Sequence, residues 1–271
     1  MKNNYTYVTL LSSNNYIIGV IMLYKSLKSV KAKYPLFVLC SESISSSILR
    51  ILEKFKIEYM VLSEHIIVNK GKLINGEGYG HWDRTFDKLY IWTLLQFTKV
   101  VYLDSDMYVI RNIDHLFNKP HMSAVIADKF NEPGLDKLNS GLIVINPNKD
   151  EFIDMKKLWE SGAINLDNAG DQDVIRYYYS DWGTMNNLHL SSGYNVFYSD
   201  VTLGLIKKED VDPVSVIHYI GTRKPWMRSL FANLKNYNRN FLGFYFFKYL
   251  IKLYFYFPIC ILPQRFRKGV F

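Results

Sequence analysis

Short apolar runs bounded by polar turns recur along the first half of the chain, at Tyr5–Leu11, Leu36–Cys40, Glu58–Leu62, Lys99–Leu103, Met122–Ala127 and Leu142–Asn146. Each is short enough for a buried strand. Between them apolar residues fall at three- and four-residue steps: Tyr16, Val20, Leu23, Leu27 and Val30; Ile44, Ile48, Ile51 and Phe55; Phe86, Leu89, Tyr90, Leu94 and Phe97. That spacing predicts amphipathic helices. Strands alternating with helices predict an α/β layered fold. In open sheets of that kind ligands bind beyond the carboxyl ends of the strands, so chemistry is expected just after Leu11, Leu103, Ala127 and Asn146.

Composition narrows the class. The chain has 271 residues, 49% hydrophobic and 21% charged, with 15 Gly and 8 Pro. It can bury a full core, which excludes disordered, collagen-like and coiled-coil chains. The net charge of +8 is uneven: Pro213–Phe271 holds ten basic residues and no acidic one, which leaves residues 1–212 at −2. A mildly acidic core, and a tail whose aromatics come with few cations, argue against nucleic acid as a partner. Composition shifts near Arg228, so a core domain of residues 1–228 and a tail of residues 229–271 are expected. Cys40 and Cys260 form no disulfide framework and suit a reducing compartment. The N-terminus lacks the uninterrupted apolar stretch of a secretory signal.

The apolar run Val100–Leu103 leads into Asp104-Ser105-Asp106. In extended backbone, residues i and i+2 point the same way, and two convergent carboxylates invite a divalent cation that can neutralise charge on a phosphate leaving group. The same strand-plus-carboxylate pattern is also found in phosphatases of the haloacid-dehalogenase type, where the first Asp is a nucleophile. D-x-D alone does not separate the two, and the chain has others at Asp171-Gln172-Asp173 and Asp210-Val211-Asp212.

Three later segments add polar groups. Asn139-Ser140-Gly141 precedes an apolar strand, with a glycine that permits close backbone approach. Gly170-Asp171-Gln172-Asp173 opens a helical stretch in which Asp171 is a natural cap. His218 stands three residues before Gly221 and six before Lys224, offering a nitrogen ligand and a cation for phosphate.

Taken in order, these residues resemble glycosyltransferase family 8, the family of glycogenin and of bacterial lipopolysaccharide glucosyl- and galactosyltransferases. The resemblance covers about Tyr5 to Arg228. Its carriers are Val8-Thr9-Leu10 with Tyr16 and Gly19, Lys88-Leu89 with Trp92, Leu103-Asp104-Ser105-Asp106, Asn139-Ser140-Gly141, Gly170-Asp171-Gln172, and His218 with Gly221 and Lys224-Pro225-Trp226. The resemblance implies a GT-A fold, a Rossmann-like mixed sheet flanked by helices. It implies transfer of a hexose, glucose or galactose, from a UDP-sugar to a glycan or lipid-linked saccharide, with retention of configuration and with manganese (or magnesium) as cofactor.

Carried over position by position, it makes Asp104, Asp106 and His218 the metal ligands. Leu10, Ser12, Ser13 and Tyr16 would hold the nucleoside, the Ser105 backbone the ribose, and Gly221 and Lys224 the diphosphate. Lys88, Asp128, Asn139, Ser140, Asp171 and Gln172 would surround the transferred sugar, with Lys88, Asp171 and Gln172 nearest the chemistry. Ser12 and Ser13 replace the Thr and Asn common in glycogenins, and Asn168 replaces an Asp. Arg84 substitutes for a basic residue that meets the nucleotide. The position of glycogenin's self-glucosylated tyrosine falls near Thr202, so self-priming is not expected. A donor-binding or scaffold protein of the same fold without turnover is the rival reading, with the phosphatase behind it.

From Phe241 to Phe257 ten of seventeen residues are aromatic, and the only charges are Lys248 and Lys252. Two lysines near the middle each cost about 2.5–3.5 kcal/mol in a bilayer core, while each Leu, Ile or Phe returns only about 0.3–0.6. An interfacial helix therefore fits better than a spanning one, with residues 241–271 on an anionic membrane surface and the protein peripheral at its cytoplasmic face. Packing of the tail on the core domain or on a partner subunit is the alternative.

Overall fold

The computed structural model describes residues 4–66, 83–127, 137–162, 164, 170–211, 213–221, 224–235 and 240–257. Its strands are β1 (Tyr5–Leu11), β2 (Leu36–Cys40), β3 (Glu58–Val61), β4 (Lys99–Leu103), β5 (Met107–Val109), β6 (Ala124–Ala127), β7 (Lys137–Ile145), β8 (His189–Leu190), β9 (Val196–Phe197) and β10 (Val216–His218). Its helices are α1 (Ile17–Ser29), α2 (Ser46–Lys54), α3 (Lys149–Glu160), α4 (Asp171–Tyr178), α5 (Tyr198–Thr202), α6 (Lys208–Val211), α7 (Leu230–Lys235) and α8 (Gly243–Tyr256). The chain divides into two compact units: Met1–Ser13, Tyr34–Leu103 and His115–Leu190 form the first, and Asn14–Lys33, Asp104–Asp114 and Ser191–Phe271 the second.

The first unit holds a seven-stranded mixed sheet in the order β3-β2-β1-β4-β7-β6-β8. β1, β2, β3 and β4 pair in parallel, with Val8 opposite both Phe37 and Tyr102, and β7 runs antiparallel to β4 and β6. Every residue of β2 is buried, as are all but the first of β1 and β4, which is why these strands read as continuous apolar runs.

Three expectations change here. Residues Asp83–Thr93 form a 3-10 helix, not an α-helix. Phe86, Leu89 and Trp92 recur at three-residue steps and are all fully buried, and a 3-10 helix lines up i and i+3 on one face. Met122 has a φ of 64°, and β6 begins only at Ala124. The left-handed turn is costly for a bulky residue. It is held by the Met122 N–H on the Val144 carbonyl at 2.7 Å and by the Trp182 Nε1–H on the Met122 carbonyl at 2.8 Å. Asn139-Ser140-Gly141 lies inside β7, not before it, because β7 extends back to Lys137 alongside β6, past a register shift between Ala124 and Ile126.

The second unit holds a three-stranded sheet, β5-β10-β9, with α1 and α8. The Ser26 hydroxyl of α1 accepts the Val109 N–H of β5 at 3.0 Å. α8 buries Phe246, Tyr249, Leu250 and Leu253. Tyr249 meets Tyr108 of β5 edge-on at 5.2 Å, and its ring centroid is 4.8 Å from that of Tyr219. Its other side leaves Phe244, Phe247, Ile251 and Phe255 exposed. Among the described residues no helix is long and apolar enough to cross a membrane. Residues 258–271, part of the expected membrane tail, lie outside the described residues.

Candidate functional site

The second unit gathers Asp104, Asp106 and His218, and strand register is the reason. The two aspartates sit on a turn into β5, closed by the Met107 N–H on the Asp104 carbonyl at 3.0 Å, not on the extended backbone expected from the D-x-D spacing. β10 pairs antiparallel with β5, putting His218 opposite Met107, and the Tyr219 N–H donates to the Asp106 carbonyl at 3.0 Å. His218 Nε2 lies 3.0 Å from Asp106 Oδ1 and 3.8 Å from Asp104 Oδ2. One ligand atom from each residue falls within 4.8 Å of the others.

His218 Nδ1 is 2.9 Å from Asn195 Oδ1, which can only accept, so Nδ1 carries the proton and Nε2 faces the carboxylates. Burial would raise the Asp106 carboxyl, but His218 and Lys224 beside it hold it well below the usual carboxylate range. Two carboxylates and an imidazole nitrogen converging on one point can hold a cation, and two oxygens with one nitrogen suit a borderline divalent ion. The residues fit a metal site.

Lys224 donates to the Asp106 carboxylate and to the Tyr219 carbonyl at 3.0 Å. Gly221, with a φ of 92°, makes a left-handed turn between β10 and that lysine which a side chain would strain. Tyr16 meets Trp226 edge-on at 5.8 Å, and burial, with Asp106 and Asp104 adding to it, pushes its phenol up to about 12. A Cβ at Gly19 would stand 2.5 Å from the Ser105 carbonyl and 2.7 Å from the Trp226 ring, so only glycine lets α1 approach the aspartate turn this closely.

A separate polar cluster lies within the first unit. Lys88 Nζ is 2.7 Å from Asp171 Oδ2 and 3.2 Å from Ser140 Oγ, and it stands 5.0 Å over the Tyr102 ring. Ser140 Oγ donates to Asp171 at 2.9 Å, and the Ser140 N–H donates to Gln172 Oε1 at 2.9 Å. Lys88, Asp171 and Ser140 are all buried. Asp171 is not the helix cap that the sequence suggests. Gly170 precedes the helix, its N–H donates to Asp173 at 2.8 Å, and Asp171, in the first turn, turns its carboxylate to Lys88 and Ser140.

Leu10, Ser12 and Ser13 lie at the end of β1, and Arg84 belongs to the 3-10 helix. Asn139 accepts the Gly141 N–H at 2.9 Å. Asp128 and Asn168 lie outside the described residues. Sequence reasoning missed Asn195. Its only signal was a buried-capable amide just before a short apolar pair, and its role shows only once β9 is known to pair with the strand that carries His218.

Comparison with known proteins identifies sequence relatives and structural neighbours of the chain. The chain is 29% identical to human glycogenin-1 over 231 residues, covering 81% of this chain and 61% of that protein. It is 30% identical over 230 residues to an Arabidopsis thaliana UDP-glucuronate:xylan alpha-glucuronosyltransferase 2, covering 82% and 35%. The chain thus spans less than two thirds of the length of these relatives. Among solved structures, the galactosyltransferase LgtC, determined with donor and acceptor sugar analogs, superposes with a TM-score of 0.63 at 16% identity, covering 91% of this chain and 96% of that one. The Streptococcus pneumoniae glycosyltransferase GlyE gives 0.60 at 19%, covering 96% and 65%. Both share the GT-A fold seen here. The model of glycosyl transferase family 8 matches residues 7–229, from β1 through the Lys224-Pro225-Trp226 run, and the chain belongs to that family.

Proposed function

We propose that residues 1–228 transfer a hexosyl group, glucose or galactose, from a UDP-sugar to a glycan or lipid-linked saccharide with retention at the anomeric carbon, using manganese. The observation that carries this reading is the convergence of Asp104, Asp106 and His218 in a family 8 chain. Family membership also leaves the phosphatase reading of Asp104-Ser105-Asp106 without support.

Asp104, Asp106 and His218 would hold the ion, which when bound supplies positive charge for the departing diphosphate. Lys224, after the Gly221 turn, would add a second cation for the same oxygens. Tyr16 offers a ring for the base, with Leu10, Ser12, Ser13, Arg84 and the Ser105 backbone around the nucleoside. Lys88, Asp171, Gln172, Asn139 and Ser140, with Asp128 and Asn168, take the transferred sugar. The buried Lys88–Asp171 pair fixes the rotamers of both side chains before any substrate arrives, and Ser140 keeps the aspartate from swinging away.

A thermal-shift panel of UDP-sugars with manganese, followed by UDP release, tests the reading. Stabilisation by a UDP-hexose and manganese-dependent release are expected. Binding without release would favour the scaffold alternative, and no binding of any UDP-sugar would refute the reading.

The exposed Phe244, Phe247, Ile251 and Phe255 of α8, in an acid-free tail, support peripheral attachment to an anionic membrane at its cytoplasmic face through residues 241–271. Because the opposite face of α8 is buried, the test is substitution of exposed rings rather than truncation. Phe244→Ser with Phe255→Ser should halve or further reduce pelleting with phosphatidylserine vesicles and leave the melting temperature unchanged. Undiminished pelleting would refute the attachment.

A further inference from the structure

The 3-10 helix Asp83–Thr93 carries a second buried charge next to Lys88. Asp87 is fully buried among apolar neighbours on its own helix, where Phe86, Leu89, Ile91 and Trp92 are equally buried. A carboxylate in such a place is costly unless it is well supplied with donors. Three are present. Ser41 Oγ donates to Oδ2 at 2.5 Å, His65 Nδ1 lies 2.7 Å from Oδ1, and the Ile66 N–H donates to Oδ1 at 3.2 Å. Ser41 immediately follows β2, and His65 and Ile66 lie beyond β3, at the carboxyl ends of two parallel strands.

Serine, histidine and aspartate here have the composition of a nucleophilic triad but not its order. The carboxylate stands between hydroxyl and imidazole and accepts from both, so the serine is not activated. The arrangement is an anchor. Consecutive side chains of a 3-10 helix diverge by about 120°, so Asp87 and Lys88 leave the helix on different sides. Asp87 ties it to the ends of β2 and β3, while Lys88 ties it to β7 and α4 through Ser140 and Asp171. The Asp171 N–H, 3.5 Å from Thr85 Oγ1, is a weaker third tie. The rotation of the helix, and with it the position of the Lys88 ammonium, is therefore set from the Asp87 side.

We propose that Asp87 is a positioning residue for Lys88, acting through its anchorage to Ser41 and His65. This rests on the transfer reading only for its kinetic consequence. The test compares the full chain with Asp87→Asn, which keeps the volume and removes the charge. Reductive methylation read by mass spectrometry reports Lys88, with Lys224 of the other unit, equally buried, as internal reference. Labelling of Lys88 should rise severalfold in the variant while Lys224 stays protected.

With UDP-glucose or UDP-galactose, kcat should fall by on the order of ten- to a hundredfold, the range for a catalytic group displaced by about 1 Å, while the donor KM changes less than about twofold. Equal deprotection of both lysines would mean general loosening and would overturn the proposal, as would unchanged Lys88 protection. If the wild-type chain turns over no UDP-sugar, the transfer reading falls and the labelling still decides. Should Asp87→Asn not fold, Ser41→Ala removes one donor and leaves the carboxylate. A smaller Lys88-specific rise is expected there, and its absence would count against the anchor.

Discussion

Removing the Asn195 amide should weaken metal binding without touching a ligand. Asn195 and His218 are 8% and 6% exposed, and the contact between them is a well-formed 2.9 Å hydrogen bond. In Asn195→Ala the imidazole Nδ1–H loses its acceptor inside the protein, at a cost of about 1–3 kcal/mol. The ring is also free to rotate or to move its proton to Nε2, which removes the lone pair facing Asp104 and Asp106. Loss of partners of this kind lowers metal affinity about 10–100-fold, or about 1.4–2.7 kcal/mol. Manganese titration followed by the electron paramagnetic resonance of the free ion measures this in the absence of donor. Asn195→Asp keeps the acceptor and should bind at least as tightly as the wild type, whereas Asp106→Asn should bind far more weakly. A folded Asn195→Ala protein with a Kd within about twofold of wild type would refute the argument that the amide fixes the histidine.

Other outcomes follow from the same geometry. Asp106→Asn should abolish manganese-dependent UDP release while the circular dichroism spectrum stays native. Lys88→Met leaves Asp171 buried without its cation and should cost about 3–5 kcal/mol in urea unfolding. Adding Asp171→Asn should recover most of that loss, and additive losses would contradict a coupled pair. Gly19→Ala places a methyl against the Ser105 carbonyl and should destabilise by about 1–3 kcal/mol, visible as a lower melting temperature and weaker manganese binding together.

Much of the fold was legible because burial on both faces writes itself as apolar runs. β1, β2 and β4 begin and end where those runs do. Where the reading slipped, a local competitor had won. The Phe86–Phe97 periodicity fits three-residue as well as four-residue steps, and the left-handed Met122 delays β6. The polar Asn139-Ser140-Gly141 looks like a turn until its partner strand is known. The site divides similarly. The carboxylates and His218 are chemically loud residues near strand ends, so spacing alone raises them as candidates. Asn195 and Asp87 act through neighbours 23 and 46 or fewer positions away, and nothing local distinguishes them from a surface amide or a solvated acid.

His218 faces the aspartates because β10 lies opposite β5 in one register, with His218 across from Met107. Side chains alternate along a strand, so a slip of one residue would send the imidazole to the other side of the sheet. A site built this way is intolerant of insertion or deletion within those strands. Across divergent sequences it should be preserved as a count, the number of residues in each strand, more faithfully than as a spelling.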